Sequence, residues 1–206
     1  MNNGYITKTL TKDNFVSVID AQIAKMNFSN EEKPVVTLFL FSQAQVLNLR
    51  RYELSEQFEK FYSQNTVVIK QLAENKKYAK DIATAVCVYS GFANRLNYER
   101  MFEFSLLSND SISNNFKFLA AKSLSENKIV ELCNIVAANP SKIINTSKHL
   151  NQCVDLTKRL NDAKYDNVVK PLYTKLKRVF YQNLTKGDDW KAALTNLQLQ
   201  MNAYGM

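Results

Sequence analysis

Four groups of cations interleaved with aromatic side chains are the residues of this 206-residue chain whose types and spacing fit one chemistry. Arg50 and Arg51 precede Tyr52, and Lys70, Lys76, Lys77 and Lys80 surround Tyr78. Arg95 and Arg100 flank Tyr98. Lys170, Lys177 and Tyr181 recur at i, i+7 and i+11, with Tyr173 beside them and Lys175 and Arg178 on the adjoining face. Cations neutralise phosphates, tyrosine rings stack on unpaired bases, and arginine does both. Together these types describe a surface for single-stranded nucleic acid. A lysine-rich helix face is otherwise a solvated surface, so each group alone says little.

Other chemistries find fewer residues. Glu99 and Glu103 stand four apart, which on a helix brings both carboxylates to one face, where they could share a metal or act as an acid–base pair. A di-metal bundle also needs Glu-x-x-His pairs from further helices, and the sequence has none. Arg95, four residues before Glu99, gives that face a plain ion pair instead. The single histidine, His149, has no acid at 145 or 146 and reads as a partly exposed helical residue. Cys87, Cys133 and Cys153 are too far apart in sequence for a zinc motif and read as buried, reduced thiols in an intracellular setting. There is no phosphate-binding glycine loop of the nucleotide-triphosphate or dinucleotide type. The expectation is a protein without catalytic activity, cofactor or metal.

Charge points the same way. Residues 142–206 hold eleven Lys or Arg against five Asp, a net of +6, whereas residues 1–141 add only +2 to the total of +8. The densest stretch is Lys164 to Lys186. A like-charged surface calls for a partner of opposite charge: nucleic acid, an acidic protein or an anionic membrane. The opening residues MNNGYITKTLTKDNF hold no apolar run, so no signal peptide is expected, and Val35–Leu49 is too short and too polar to span a bilayer, so no membrane partner is expected.

The elements that must position these residues follow from punctuation and periodicity. Four glycines and three prolines in 206 residues leave few interruptions, which predicts an all-α, multi-helix globular protein of about nine or ten helices, as one domain or two lobes. Residues 1–10 read as an arm, 11–107 as an N-terminal lobe, 112–202 as a basic C-terminal lobe and 203–206 as a tail, divided at the polar stretch Ser108–Ser111. Phe15, Val16, Ile19, Ile23 and Met26 form one helical stripe, and Ser29 with Glu32 predicts a capping box ahead of Pro34. The next helix, about 34–49, is apolar on nearly every side and is expected at the centre of a bundle, with a strand over 35–41 as the rival. Further helices are predicted at about 53–63, 66–74, 78–89, 92–107, 113–122, 126–138, 141–160, 167–184 and 188–202, with Gly187 closing the one before last.

The functional expectation is a sequence-nonspecific, single-stranded RNA-binding and packaging protein of the nucleoprotein or helical-coat class, intracellular or within a virion. Arg50, Arg51, Arg95, Arg100, Lys170, Lys175, Lys177 and Arg178 would bind phosphate, and Tyr173 and Tyr181 would stack on bases, along a cleft between the lobes. Tyr5 and Ile6 in the arm, and Met201 and Tyr204 at the other end, would dock on neighbouring copies. The alternative is a helical adaptor or inhibitor that binds an acidic protein. A carboxylate enzyme at Glu99 and Glu103 is a third reading.

Overall fold

The computed structural model describes residues 10–44, 47–91 and 97–206, and among these it contains eleven α-helices and no strand. The chain divides into two compact units, Met1–Ser108 and Asn109–Met206.

Unit 1 contains α1 (Phe15–Lys25), α2 (Glu32–Ser42), α3 (Ser55–Ala73), α4 (Lys76–Ser90) and α5 (Tyr98–Ser105), with a 3-10 turn over Arg51–Leu54. The capping box forms: the Glu32 amide donates to Ser29 Oγ at 3.2 Å, and the Ser29 amide to Glu32 Oε2 at 3.3 Å. The segment 35–41 is helical, and α2 stops at Ser42 rather than near 49. Its rings build the core. Phe41 packs on Phe15 at 4.8 Å, on Phe58 at 5.6 Å and on Tyr89 at 5.4 Å, and Phe58 stacks on Tyr89 at 4.5 Å. The Tyr89 hydroxyl donates to the Phe41 carbonyl at 2.7 Å, which satisfies a terminal acceptor of α2 inside the core.

The central helix is α4, not α2. Phe39 leaves one side of α2 facing water, whereas nearly every residue from Ile82 to Ser90 is buried. Ala83 and Ala85 keep that helix narrow where α2, α3 and α5 crowd it. The two helices expected at 53–63 and 66–74 are one. Ser63, Asn65 and Thr66 bond back to the carbonyls of Lys60, Phe61 and Tyr62, so polar residues that suggested a break ride on a continuous helix.

Unit 2 contains α6 (Ser111–Ser123), α7 (Glu126–Ala138), α8 (Pro140–Ile143), α9 (Ser147–Thr157), α10 (Asp166–Phe180) and α11 (Asp188–Ala203). Asp110 caps α6 by accepting the amides of Ile112 and Ser113. The helix expected over 141–160 is split at 144–146. The run Ile143-Ile144-Asn145-Thr146 favours helix poorly, and Thr146 starts α9 by accepting the His149 amide at 3.2 Å. After Phe180 the chain tightens into 3-10 turns over Tyr181–Lys186, with the Phe180 ring stacked on Trp190 at 5.7 Å. The core lies where α9 and α10 meet α7 and α11, around Leu150, Cys153, Leu172, Tyr173, Leu176 and Leu197.

Two substitutions test this packing. Phe41→Ala removes the ring shared by four helices' side chains and should cost about 3–5 kcal/mol of unit 1 stability in urea unfolding. Gly187 has φ of +123°, and a Cβ added there would meet nothing within 4 Å, so Gly187→Ala should cost about 1–3 kcal/mol by backbone strain alone.

Candidate nucleic-acid interface

The predicted phosphate contacts divide into cations the fold consumes and cations it leaves in water. Arg100 belongs to the first class. It is 8 % exposed, its Nη1 meets Glu59 Oε2 at 2.9 Å, its Nη2 pairs with Glu59 Oε1, and its Nε donates to Ser90 Oγ at 2.8 Å. The guanidinium also sits 4.5 Å from the Tyr62 ring centroid. Fork, ring and hydroxyl are all occupied, so Arg100 ties α5 to α3 and α4 and is not a phosphate ligand.

In the other cation–aromatic groups of unit 1, two lysines are met by that unit's own acids. Lys70 bonds Glu103 at 2.9 Å, which also takes up one member of the expected carboxylate pair. Lys77 reaches Glu32 at 3.4 Å and the Tyr78 hydroxyl at 3.0 Å. Arg51 is half-buried and acts electrostatically on the Tyr89 phenol. Arg50 is exposed, with Nη1 bonded to the Tyr52 hydroxyl at 2.6 Å beside an exposed ring. Arg95, Tyr5 and Ile6 lie outside the described residues.

Unit 2 uses cations as helix caps, a role that local sequence does not show. The last carbonyls of a helix have no partner within it and carry partial negative charge. Lys175 Nζ donates to the Ala137 carbonyl at the end of α7, at 2.9 Å. Arg159 donates to the Lys122 and Leu124 carbonyls at the end of α6, at 2.6 and 3.0 Å. Lys170 pairs with Asp166 at 2.7 Å. Lys175 and Lys170 are therefore engaged within the unit. No spacing marks Arg159 or Lys175 as a cap, because their acceptors lie 35 or more residues away in sequence.

Of the predicted phosphate contacts in unit 2, those at the end of α10 remain. Lys177, Arg178 and, beyond the helix, Lys186 have no ion pair among the described residues, and Tyr181 is 56 % exposed within one turn of the first two. Tyr173, two turns earlier, is buried: its hydroxyl shares a hydrogen bond with Thr157 Oγ1 and its ring meets Tyr204 at 5.7 Å. Burial pushes its phenol well above the ordinary range. It is a core residue and cannot stack on a base. The two tyrosines differ only in helical phase: Tyr173 follows Val169, Leu172 and Leu176 inward, and Tyr181 follows Lys177 and Arg178 outward.

The C-terminal docking residues also turn inward. Met201 is 6 % exposed, and the Tyr204 hydroxyl donates to the Leu160 carbonyl at 3.0 Å. The Met206 amide bonds the Met201 carbonyl and the Gly205 amide bonds the Asn202 carbonyl, with Gly205 at φ +70°. That is a Schellman cap, so the predicted tail is the finished end of α11. Gly205 was the signal that could have revealed it.

Little else among the described residues offers chemistry. Among them no group of three or more His, Cys, Asp or Glu is arranged to hold a metal ion. A surface cavity of about 560 Å³ in unit 1 is lined by Asp13, Asp20, Lys33, Lys60, Gln57 and Phe61 among others, with its acids and lysines balanced. No helix among the described residues is long and apolar enough to cross a membrane.

If Arg100 is structural, Arg100→Lys should keep the charge but lose the bidentate pairing. The expected outcome is a loss of about 1.5–3 kcal/mol in urea unfolding, with any nucleic-acid affinity unchanged in the folded protein.

Compared with known proteins, the chain matches no family model, no curated protein and no solved structure.

Proposed function

We propose that the chain binds single-stranded nucleic acid, RNA in the first instance, without sequence specificity and through unit 2. One observation carries this reading: Lys177, Arg178 and Lys186 reach water without acids of their own, beside the exposed ring of Tyr181. Residues 109–206 hold fourteen Lys or Arg against eight Asp or Glu, so unit 2 taken whole is cationic. Phosphates would neutralise the three cations, and an unpaired base would stack on Tyr181. A duplex would engage the cations but not the ring. Arg50 beside Tyr52 is a second, smaller surface of the same kind. Packaging, in which many copies coat one strand, is part of the proposal and rests for its self-association on Tyr5 and Ile6.

The test is fluorescence anisotropy with a labelled single-stranded RNA of mixed sequence, titrated across salt. Binding should weaken steeply with salt, and the Lys177→Glu/Arg178→Glu variant should flatten the log–log slope by about 1.4 if two phosphate contacts are lost. Tyr181→Ala should cost about 1–3 kcal/mol for single strands and little for duplex. Absence of binding at low salt would overturn the reading and leave the acidic-protein partner, to be pursued by pull-down with the same charge-reversed variant as control.

A further inference from the structure

The single histidine of the chain is not the partly exposed residue its sequence context suggests. His149 is 1 % exposed, on α9, and its imidazole joins a polar chain that runs from the exposed Asn115 and Asn145 to the buried Asn114 and Lys117. Nδ1 faces the Asn145 amide, which donates to it at 3.3 Å, and Nε2 lies 3.1 Å from Asn115 Oδ1 on α6. An amide N–H at Nδ1 requires an unprotonated nitrogen there, so the pattern assigns the neutral tautomer with its hydrogen on Nε2.

The chain continues from Asn145. Its Oδ1 accepts Asn114 Nδ2 at 2.6 Å, and Asn114 Nδ2 also reaches the Lys142 carbonyl at 2.9 Å. Asn114 Oδ1 in turn accepts Lys117 Nζ at 2.8 Å, and Asn114 and Lys117 are fully buried. The connection between α8 and α9 is thus held to α6 by two side chains, Asn114 and His149. The charges acting on the imidazole are both positive: Lys148 on its own helix and Lys117 on α6. The other helices against α9 put their polar groups elsewhere along it, Cys133 of α7 near Cys153 and Asn196 of α11 near Asn151. Phe118 covers the ring at 5.5 Å.

We propose that the contact between His149 and Asn145 is a pH-sensitive latch, closed on α6 while the imidazole is neutral and released when the imidazole takes a second proton. Protonated Nδ1 becomes a donor aimed at a donor, so the Asn145 hydrogen bond is lost. The new cation is buried, covered by a ring and beside two ammonium groups, with no carboxylate among the charges acting on it. Moving residues 142–146 away admits water to the ring and relieves both penalties.

The direction of the pH effect follows from linkage. Burial, then Lys148 and Lys117, hold the folded imidazole below its usual range. As pH falls through the ordinary histidine value of about 6.5, the unfolded or opened chain takes the proton first, so it binds more protons than the closed form. Stability contributed by the latch is therefore complete above that pH and lost as pH falls through the folded value.

Hydrogen–deuterium exchange on the full chain at pH 7 and pH 5, corrected for intrinsic chemistry, tests this. Amides of 142–149 should lose protection at pH 5 while those of α10 and α11 do not. His149→Gln offers an acceptor and a donor that do not titrate, and should keep protection at both pH values. Equal protection of 142–149 at both pH values in the native chain would overturn the latch, as would the same loss in the folded Gln variant. Should that variant fail to fold, the native chain still decides: its one histidine ring should titrate by proton NMR below the ordinary value, and a midpoint at or above about 6.5 would overturn the proposal.

Discussion

A cation withdrawn from water has to be met by a carboxylate, a carbonyl or a ring, and that requirement organises both units. Arg100 gathers Glu59, Ser90 and Tyr62, and so fixes α5 on α3 and α4. Lys117 is fully buried and draws in Asn114, which also holds the α8–α9 connection. Arg159 and Lys175 close the ends of α6 and α7. Formal net charge counts all of these equally. An approaching polyanion meets only the cations left over, among them Lys177 and Arg178 at the end of α10 and the exposed Lys76, Lys80, Lys122 and Lys148 elsewhere.

Helix content was legible because glycine and proline are scarce and apolar residues repeat at helical spacing. The Ser29–Glu32 box and the Asp110 cap are local, so three or four residues suffice to read them. Which helix sits at the centre of unit 1 was not legible. The apolar count of α2 suggested it, but Phe39 faces water, while the alanines of α4 permit close approach from three sides. Apolar composition reports the area a helix can bury, whereas a central position also requires narrowness. The break at 144–146 and the continuity of α3 were missed for one reason: Ser, Thr and Asn stabilise either a helix end or a back-bonded helix interior, and sequence does not say which.

The candidate site was half legible for a similar reason. Lys177, Arg178 and Tyr181 were named from spacing and do reach water. Tyr173 was named with them, yet a helix turns about 100° per residue, and that rotation carries its ring into the core with Leu172 and Leu176. Arg100 could not be separated from a surface arginine, because Glu59 and Ser90 are 41 and 10 residues away. Long-range partners decide whether a cation is structural or available, and no local window contains them.

The three cysteines are buried thiols, Cys87 in unit 1 and Cys133 and Cys153 in unit 2. Burial pushes Cys133 up to about 12 and Cys153 higher than usual, so neither offers a thiolate to an electrophile at neutral pH. Modification by a small maleimide therefore requires a unit to open. Each unit carries its own built-in reporter of unfolding, and a cysteine introduced at the surface would take a label against a silent background.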